Sequence, residues 1–246
     1  MRLLLPALVL GSAAALHGAD LRFSSGPGRT TLIELYTSEG CSSCPPADRW
    51  LGSLRESPGL WRDFVPVAFH VTYWDNLGWP DRFARRSFTE RQYALAAAWH
   101  SDSVYTPCVV RDGSEWHPSG PPVAAPGDDP GVLSATVGPD GICRIRFRPA
   151  PASARGAWEA HVALLGGGYR SRVTGGENSG STLSHEFVAL GLADAPMRPD
   201  GDSATAEIPL PAADRSGAKR LALAAWVTAG DGLAPIQATG GWIQGG

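Results

Sequence analysis

Two cysteines three positions apart, Cys41 and Cys44, carry the strongest chemical signal in this chain. They fall where the apolar run Leu32–Tyr36 gives way to a turn at Gly40, just before Pro45 and Pro46 open a helical pattern. Thiols at this spacing close a small disulfide ring and reopen it. One sulfur can attack a partner's disulfide while the other resolves the mixed species. In that scheme Cys41 attacks and Cys44 resolves. Attack needs a thiolate, which unpaired N–H groups at a helix N-terminus stabilise. Pro45 and Pro46 donate no N–H and disfavour helical geometry in the residue before them. The pattern therefore predicts a helix starting near residue 45, with Cys41 in the loop ahead of it. Glu34, a carboxyl inside an apolar strand, is a candidate shuttle for the resolving thiol's proton, with pairing to an arginine as the competing role. Glu39 beside the turn opposes thiolate formation if it lies close.

Other groups join this pair in different ways. Tyr73, Trp74 and Trp79 follow a second apolar run and are candidates for a recognition surface, against a plainer role packing a long loop. His70 or Cys108 could complete a copper or zinc site with Cys41 and Cys44, although one C-x-x-C supplies only half of a closed tetrahedral set. A third reading makes the cysteines an inert staple in a binding module. The glycine-rich stretch Gly175–Gly180 lacks the Gly-Lys-Ser/Thr ending of a phosphate loop, so it reads as a turn or as a loop leaning on the cysteine-bearing half. Thiol exchange requires no cofactor beyond the cysteines, and its partner is a protein or a small-molecule thiol or disulfide.

The elements that must position these groups alternate in the first half. Leu32–Tyr36 reads as a strand, and a helix from Pro45 carries Ala47, Trp50, Leu51 and Leu54 on one face, ending before Pro58. Phe64–Val71 is a continuous apolar strand. Capping-box spacings at Ser87/Glu90 and Thr89/Gln92 announce a second helix through Tyr93–Trp99. Cys108–Arg111 is a third strand. This order predicts an α/β layer with a parallel pair over residues 20–117. Residues 118–131 are rich in Pro and Gly and read as a linker. From 132 to 246 short β-prone runs recur between turns, predicting an all-β sandwich-like second domain.

A net charge of −3 gives no reason to expect nucleic acid as a partner. Residues 1–19 read as a signal peptide: Arg2, an apolar core from Leu3 to Leu10, and a small-residue cleavage pattern at Ala13 and Ala15. That core is too short for an ordinary membrane span, so no stable membrane insertion is expected once it is removed. The expected location is periplasmic or secreted. In such an oxidising compartment four cysteines allow three pairings; the C-x-x-C spacing favours Cys41 with Cys44, leaving Cys108 and Cys143 as candidates for a second bridge.

The cysteine pair after a strand, with Thr106-Pro107 before a later strand, resembles the thioredoxin-like fold. That resemblance implies a cis bond at Pro107 and a substrate-docking role for Thr106. More specific are ELYTSEGCSSCPPAD at Glu34–Asp48, HVTYWD at His70–Asp75, LGW at Leu77–Trp79, VYTP at Val104–Pro107 and GENSG at Gly176–Gly180. Together they resemble the exported domain-of-unknown-function family 1223. Membership implies an α/β thioredoxin-like N-terminal domain, a β-rich C-terminal half and an unassigned role.

Overall fold

The computed structural model describes residues 20–120, 122, 129–151, 156–230 and 232–244. The expected signal peptide at 1–19 lies outside them, as does part of the expected linker. Pro45 starts α1 (Pro45–Ser53), with Cys44 as its N-cap. The expected apolar face of this helix, Ala47, Trp50, Leu51 and the following Leu54, packs into the main core. It lies between β2 (Thr31–Thr37) and β3 (Phe64–His70), both fully buried, as a continuous apolar run requires when both faces are covered. Then come α2 (Arg86–Ala98), β4 (Cys108–Arg111) and β5 (Ser114–Glu115); β1 (Leu21–Ser24) precedes them all. The capping boxes do not act at the start of α2, whose N-cap is Arg85 without a side-chain bond. The Thr89 hydroxyl instead accepts the Thr72 backbone N–H at 2.9 Å, a tie to the preceding loop.

The second half contributes β6 (Gly131–Val137), β7 (Ile142–Pro149), β8 (Trp158–Gly167), β9 (Tyr169–Arg172), β10 (Thr182–His185), β11 (Val188–Pro196), β12 (Arg198–Asp200), β13 (Ser203–Pro209), β14 (Arg220–Ala229) and β15 (Pro235–Gln244). One expected strand, Ser184–Leu190, divides. Phe187 takes a left-handed φ of 57°, and the chain turns there from the β9–β10 hairpin into another sheet.

Assembly overturns the expected fold class. Eight strands form a single mixed sheet in the order β15-β14-β8-β11-β3-β2-β4-β5. β2 and β3 are parallel, as expected, but β3 continues into β11, with the Ala68 N–H donating to the Phe187 carbonyl at 2.8 Å. Strand accounts for 45% of the structure and helix for 15%. An α/β thioredoxin-like N-terminal domain is therefore not what this chain builds. The local order of strands and helices specified the connections but not what covers the open side of β3. That cover comes from the second half.

The sandwich-like character is real. A five-stranded antiparallel sheet, β1-β6-β7-β13-β12, lies over the antiparallel end of the large sheet around Leu133, Ile145, Phe147, Val162 and Leu223. Along β14, Ala222, Ala224 and Trp226 enter the main core while Leu223, Ala225 and Val227 enter the sandwich core, the period-two alternation of a strand buried on both faces. Gln237, fully buried on β15, ties the two sheets: its Oε1 accepts the Thr30 N–H at 2.7 Å, and its Nε2 donates to the carbonyls of Gly28 at 3.0 Å and Gly131 at 2.8 Å. Among the described residues no helix is long and apolar enough to cross a membrane.

Candidate functional site

Cys41 and Cys44 form a disulfide at the head of α1, with Cα atoms 5.5 Å apart. The Thr106–Pro107 bond is cis, and the Thr106 carbonyl oxygen lies 3.8 Å from Cys41 Sγ. Trp74 fixes this segment by donating its indole N–H to Thr106 Oγ1 at 2.8 Å. Gln92 bridges Tyr73 and the Tyr105 carbonyl, at 3.2 Å and 2.8 Å. Thr106 thus lies against Cys41, with Trp74 fixing it directly and Tyr73 tied to the same segment through Gln92. Trp79 turns elsewhere and donates to Glu39 at 2.8 Å.

Ser42 and Ser43, between the cysteines, are exposed, whereas Cys41 and Cys44 have 0% exposure. Part of that seal comes from the second half. The loop joining β9 to β10 sets the Glu177 carboxylate on Ser42, accepting its N–H at 3.1 Å and its hydroxyl at 2.7 Å. The Asn178 amide donates to the carbonyls of Glu39 and Cys41 at 2.9 Å and 2.8 Å. The loop then meets the turn at Gly78, where glycine is needed: Gly78 and Gly176 both have positive φ, and a Cβ on Gly175 would stand 2.4 Å from the Gly78 carbonyl oxygen. The stretch Gly175–Gly180 is the leaning loop that its composition allowed.

Behind the disulfide lies a buried polar cluster. His70 at the end of β3 holds Asp81 through Nδ1 at 2.6 Å, and His185 on β10 holds Glu39 through Nε2 at 3.1 Å. Asp81 also accepts the Glu39 N–H at 2.8 Å, and Asp48 on α1 accepts from Thr37 Oγ1 at 3.2 Å. Burial works against the Asp81 charge, but His70 and two backbone N–H groups outweigh it and hold that carboxyl down to about 2. Burial likewise disfavours a charged His70, yet Asp81, helped by Asp48 and Glu39, raises its pKa. Glu39 is pushed up by burial and brought below its ordinary value by hydrogen bonds from His185, Ser171 and Trp79. For Asp48 burial dominates and leaves its pKa raised, against the smaller lowering pull of His185, His70 and the Thr37 hydrogen bond.

Asp48, Asp81 and His185 were not candidates from sequence. For Asp48 a signal existed: it follows Cys44 by four, one helical turn along the same face. Nothing marked His185, which the β9–β10 hairpin delivers from far along the chain.

Glu34 is held away from the cysteines. Strand alternation turns Thr37 toward α1 and Glu34 toward α2. There Arg91 clasps its carboxylate at 2.7 Å and 3.0 Å and the Tyr36 hydroxyl donates to it at 2.8 Å. Its partner is an arginine, the competing role stated above. Cys108 and Cys143 are free buried thiols in separate cores, so the second bridge does not form. Burial drives their pKa values up to about 11 and about 12. Among the described residues no group of three or more His, Cys, Asp or Glu side chains is arranged to hold a metal ion.

The model of a family described as a protein of unknown function, DUF1223, matches residues 32–228. The chain belongs to this family. Two solved structures share the DUF1223 protein's fold. A crystal structure of a protein from Agrobacterium tumefaciens is 23% identical with a TM-score of 0.59, covering 89% of this chain and 96% of its own. HBP35 of Porphyromonas gingivalis is 14% identical with a TM-score of 0.60, covering 88% and 76% respectively. At these identities the likeness concerns architecture alone. No curated protein matches the chain.

Proposed function

We propose that this DUF1223 protein exchanges disulfides with a protein or small-molecule thiol outside the cytoplasm, using Cys41 and Cys44. One observation supports the reading above others: the disulfide heads a helix with a buried acid–imidazole cluster directly behind it, a setting that a plain staple does not require. A partner thiolate bonds to Cys41 Sγ, the Cys41–Cys44 bond breaks, and its electron pair leaves on Cys44. A second partner thiolate then attacks the mixed disulfide and releases Cys41, so the partner is oxidised and the protein reduced; oxidation runs in reverse. The wall of Tyr73, Trp74, Thr106 and Pro107 is where the partner rests. Because neither cysteine is exposed, exchange waits on the Glu177–Asn178 loop opening.

A structural staple is the second reading, and the lack of exposure favours it. Reduction of the folded protein by dithiothreitol at neutral pH, with thiols trapped by iodoacetamide and located by mass spectrometry, separates the two. Exchange predicts labelling at Cys41 and Cys44 without denaturant, faster in Asn178→Ala. Labelling that requires denaturant in both proteins leaves only the staple.

A further inference from the structure

Trp79 and Glu39 stand apart from the disulfide wall and share a groove of about 510 Å³. One wall of it is β9, and the other is the segment from Trp79 to Arg82. Among the described residues β9 pairs with β10 alone, so its second edge is open. Antiparallel pairing fixes which groups that edge presents. The Val173 N–H donates to the Ser181 carbonyl at 3.0 Å, and hydrogen-bonded positions alternate along such a ladder. Tyr169, Ser171 and Val173 therefore turn their backbone groups toward β10, while Arg170 and Arg172 turn theirs outward. Four consecutive β9 residues line the groove and no β10 residue does. Lining by both parities of a strand is what an edge gives and a face does not.

The charges there have one sign to spare. Arg170 and Arg172 are exposed, and among the described residues neither meets a carboxylate. Arg82 comes from the opposite wall, its guanidinium stacked on the rings of Phe83 and Tyr169 at 4.5 Å and 5.1 Å. Its acidic neighbour Asp214 has its oxygens on the Ser216 N–H and hydroxyl, at 2.8 Å and 2.9 Å. Glu39 is buried, and its two oxygens are taken by His185 and Trp79. Edge strands are commonly guarded by charge. A guard, however, needs open solvent, and this edge looks onto an aromatic wall bearing a third arginine held in place by rings.

We propose that this groove takes an extended acidic peptide segment, which adds to β9 as a further strand and sets its carboxylates against Arg82, Arg170 and Arg172. Backbone pairing at Arg170 and Arg172 supplies affinity, and the three guanidinium groups select acidic side chains. The occupant is a chain because peptide N–H and C=O groups are aligned along the groove beside those charges. The binding does not depend on disulfide exchange.

The test is fluorescence anisotropy with the whole protein and a short labelled peptide alternating glutamate with valine. Binding is expected and weakens as salt rises. It falls about tenfold in Arg170→Gln with Arg172→Gln, both exposed positions whose replacement leaves the core untouched. Methylating the peptide's backbone nitrogens abolishes it, and hydrogen exchange slows at the Arg170 and Arg172 amides of the complex. Equal binding of a lysine–valine peptide overturns the proposal, as does undiminished binding after methylation or in the double variant. Displacement by an equal concentration of succinate also overturns it, marking a site for small anions instead. No binding of the acidic peptide to folded wild type ends it outright and leaves the exchange reading where it stood.

Discussion

Replacing Arg91 with methionine strips the Glu34 carboxylate of two charge-assisted hydrogen bonds and leaves it with the Tyr36 hydroxyl alone. Glu34 is fully buried and the Arg91 side chain is 7% exposed, so water cannot take over. Removing one member of such a pair costs about 3–5 kcal/mol, because the remaining charge is stranded. With a urea m-value near 3 kcal/mol/M, the unfolding midpoint falls by roughly 1–2 M. Replacing both partners by apolar groups, Glu34→Leu with Arg91→Met, restores most of this, since no charge is left behind. Equilibrium urea unfolding of wild type, both singles and the double supplies the full cycle. A single Arg91→Met costing less than about 1 kcal/mol, or a double no more stable than either single, refutes the reasoning. The same double variant bears on chemistry: it is expected to exchange disulfides at the wild-type rate, and a tenfold loss would return Glu34 to the proton path.

Stability should follow pH through the His70–Asp81 pair. The folded Asp81 value near 2, against an ordinary 3.8, contributes about 2 kcal/mol above pH 4 that is lost as pH falls toward 2. The raised His70 contributes stability that is full below 6.5 and lost as pH rises through its folded value. Melting temperatures from pH 2 to 9 should show both limbs in the wild type and weaker ones in His70→Gln with Asp81→Asn. Gln237→Leu strands the Thr30 N–H and two buried carbonyls, costing about 3 kcal/mol or more and lowering Tm by roughly 6–12 °C in calorimetry. Folded, oxidised protein should release no colour from an aromatic disulfide thiol reagent, and denatured protein the equivalent of two thiols, from Cys108 and Cys143. Colour from the native state would contradict their burial.

Local pattern told a good deal. The paired prolines placed the start of α1 and put Cys41 ahead of it, and Cys108–Arg111 is a strand with the expected ends. Gly175–Gly180 is the turn between strands that its composition favoured; that it also leans on the cysteine-bearing half is set by Glu177 and Asn178 reaching Ser42 and Cys41. What stayed hidden shares one cause. Ala68 pairing with Val188, His185 reaching Glu39 and Gln237 reaching Gly28 all join distant segments. Alternation in a strand reports which residues are buried but not against whom. Thr89 failed as a cap for the same reason: its hydroxyl found a better partner in Thr72. Glu34 read as an oddity because Arg91, which explains it, sits on α2.

The pairing of β3 with β11 bears on how this polypeptide can be cut. A fragment ending near residue 120 would keep the cysteines, α1, α2 and the Thr106 segment, yet leave the largely apolar β3 without its β11 neighbour at Ala68. Such a border recruits other chains. Truncation would therefore expose an adhesive strand, and would also discard Glu177, Asn178 and His185. Work on the chemistry of these sulfurs belongs with the whole chain.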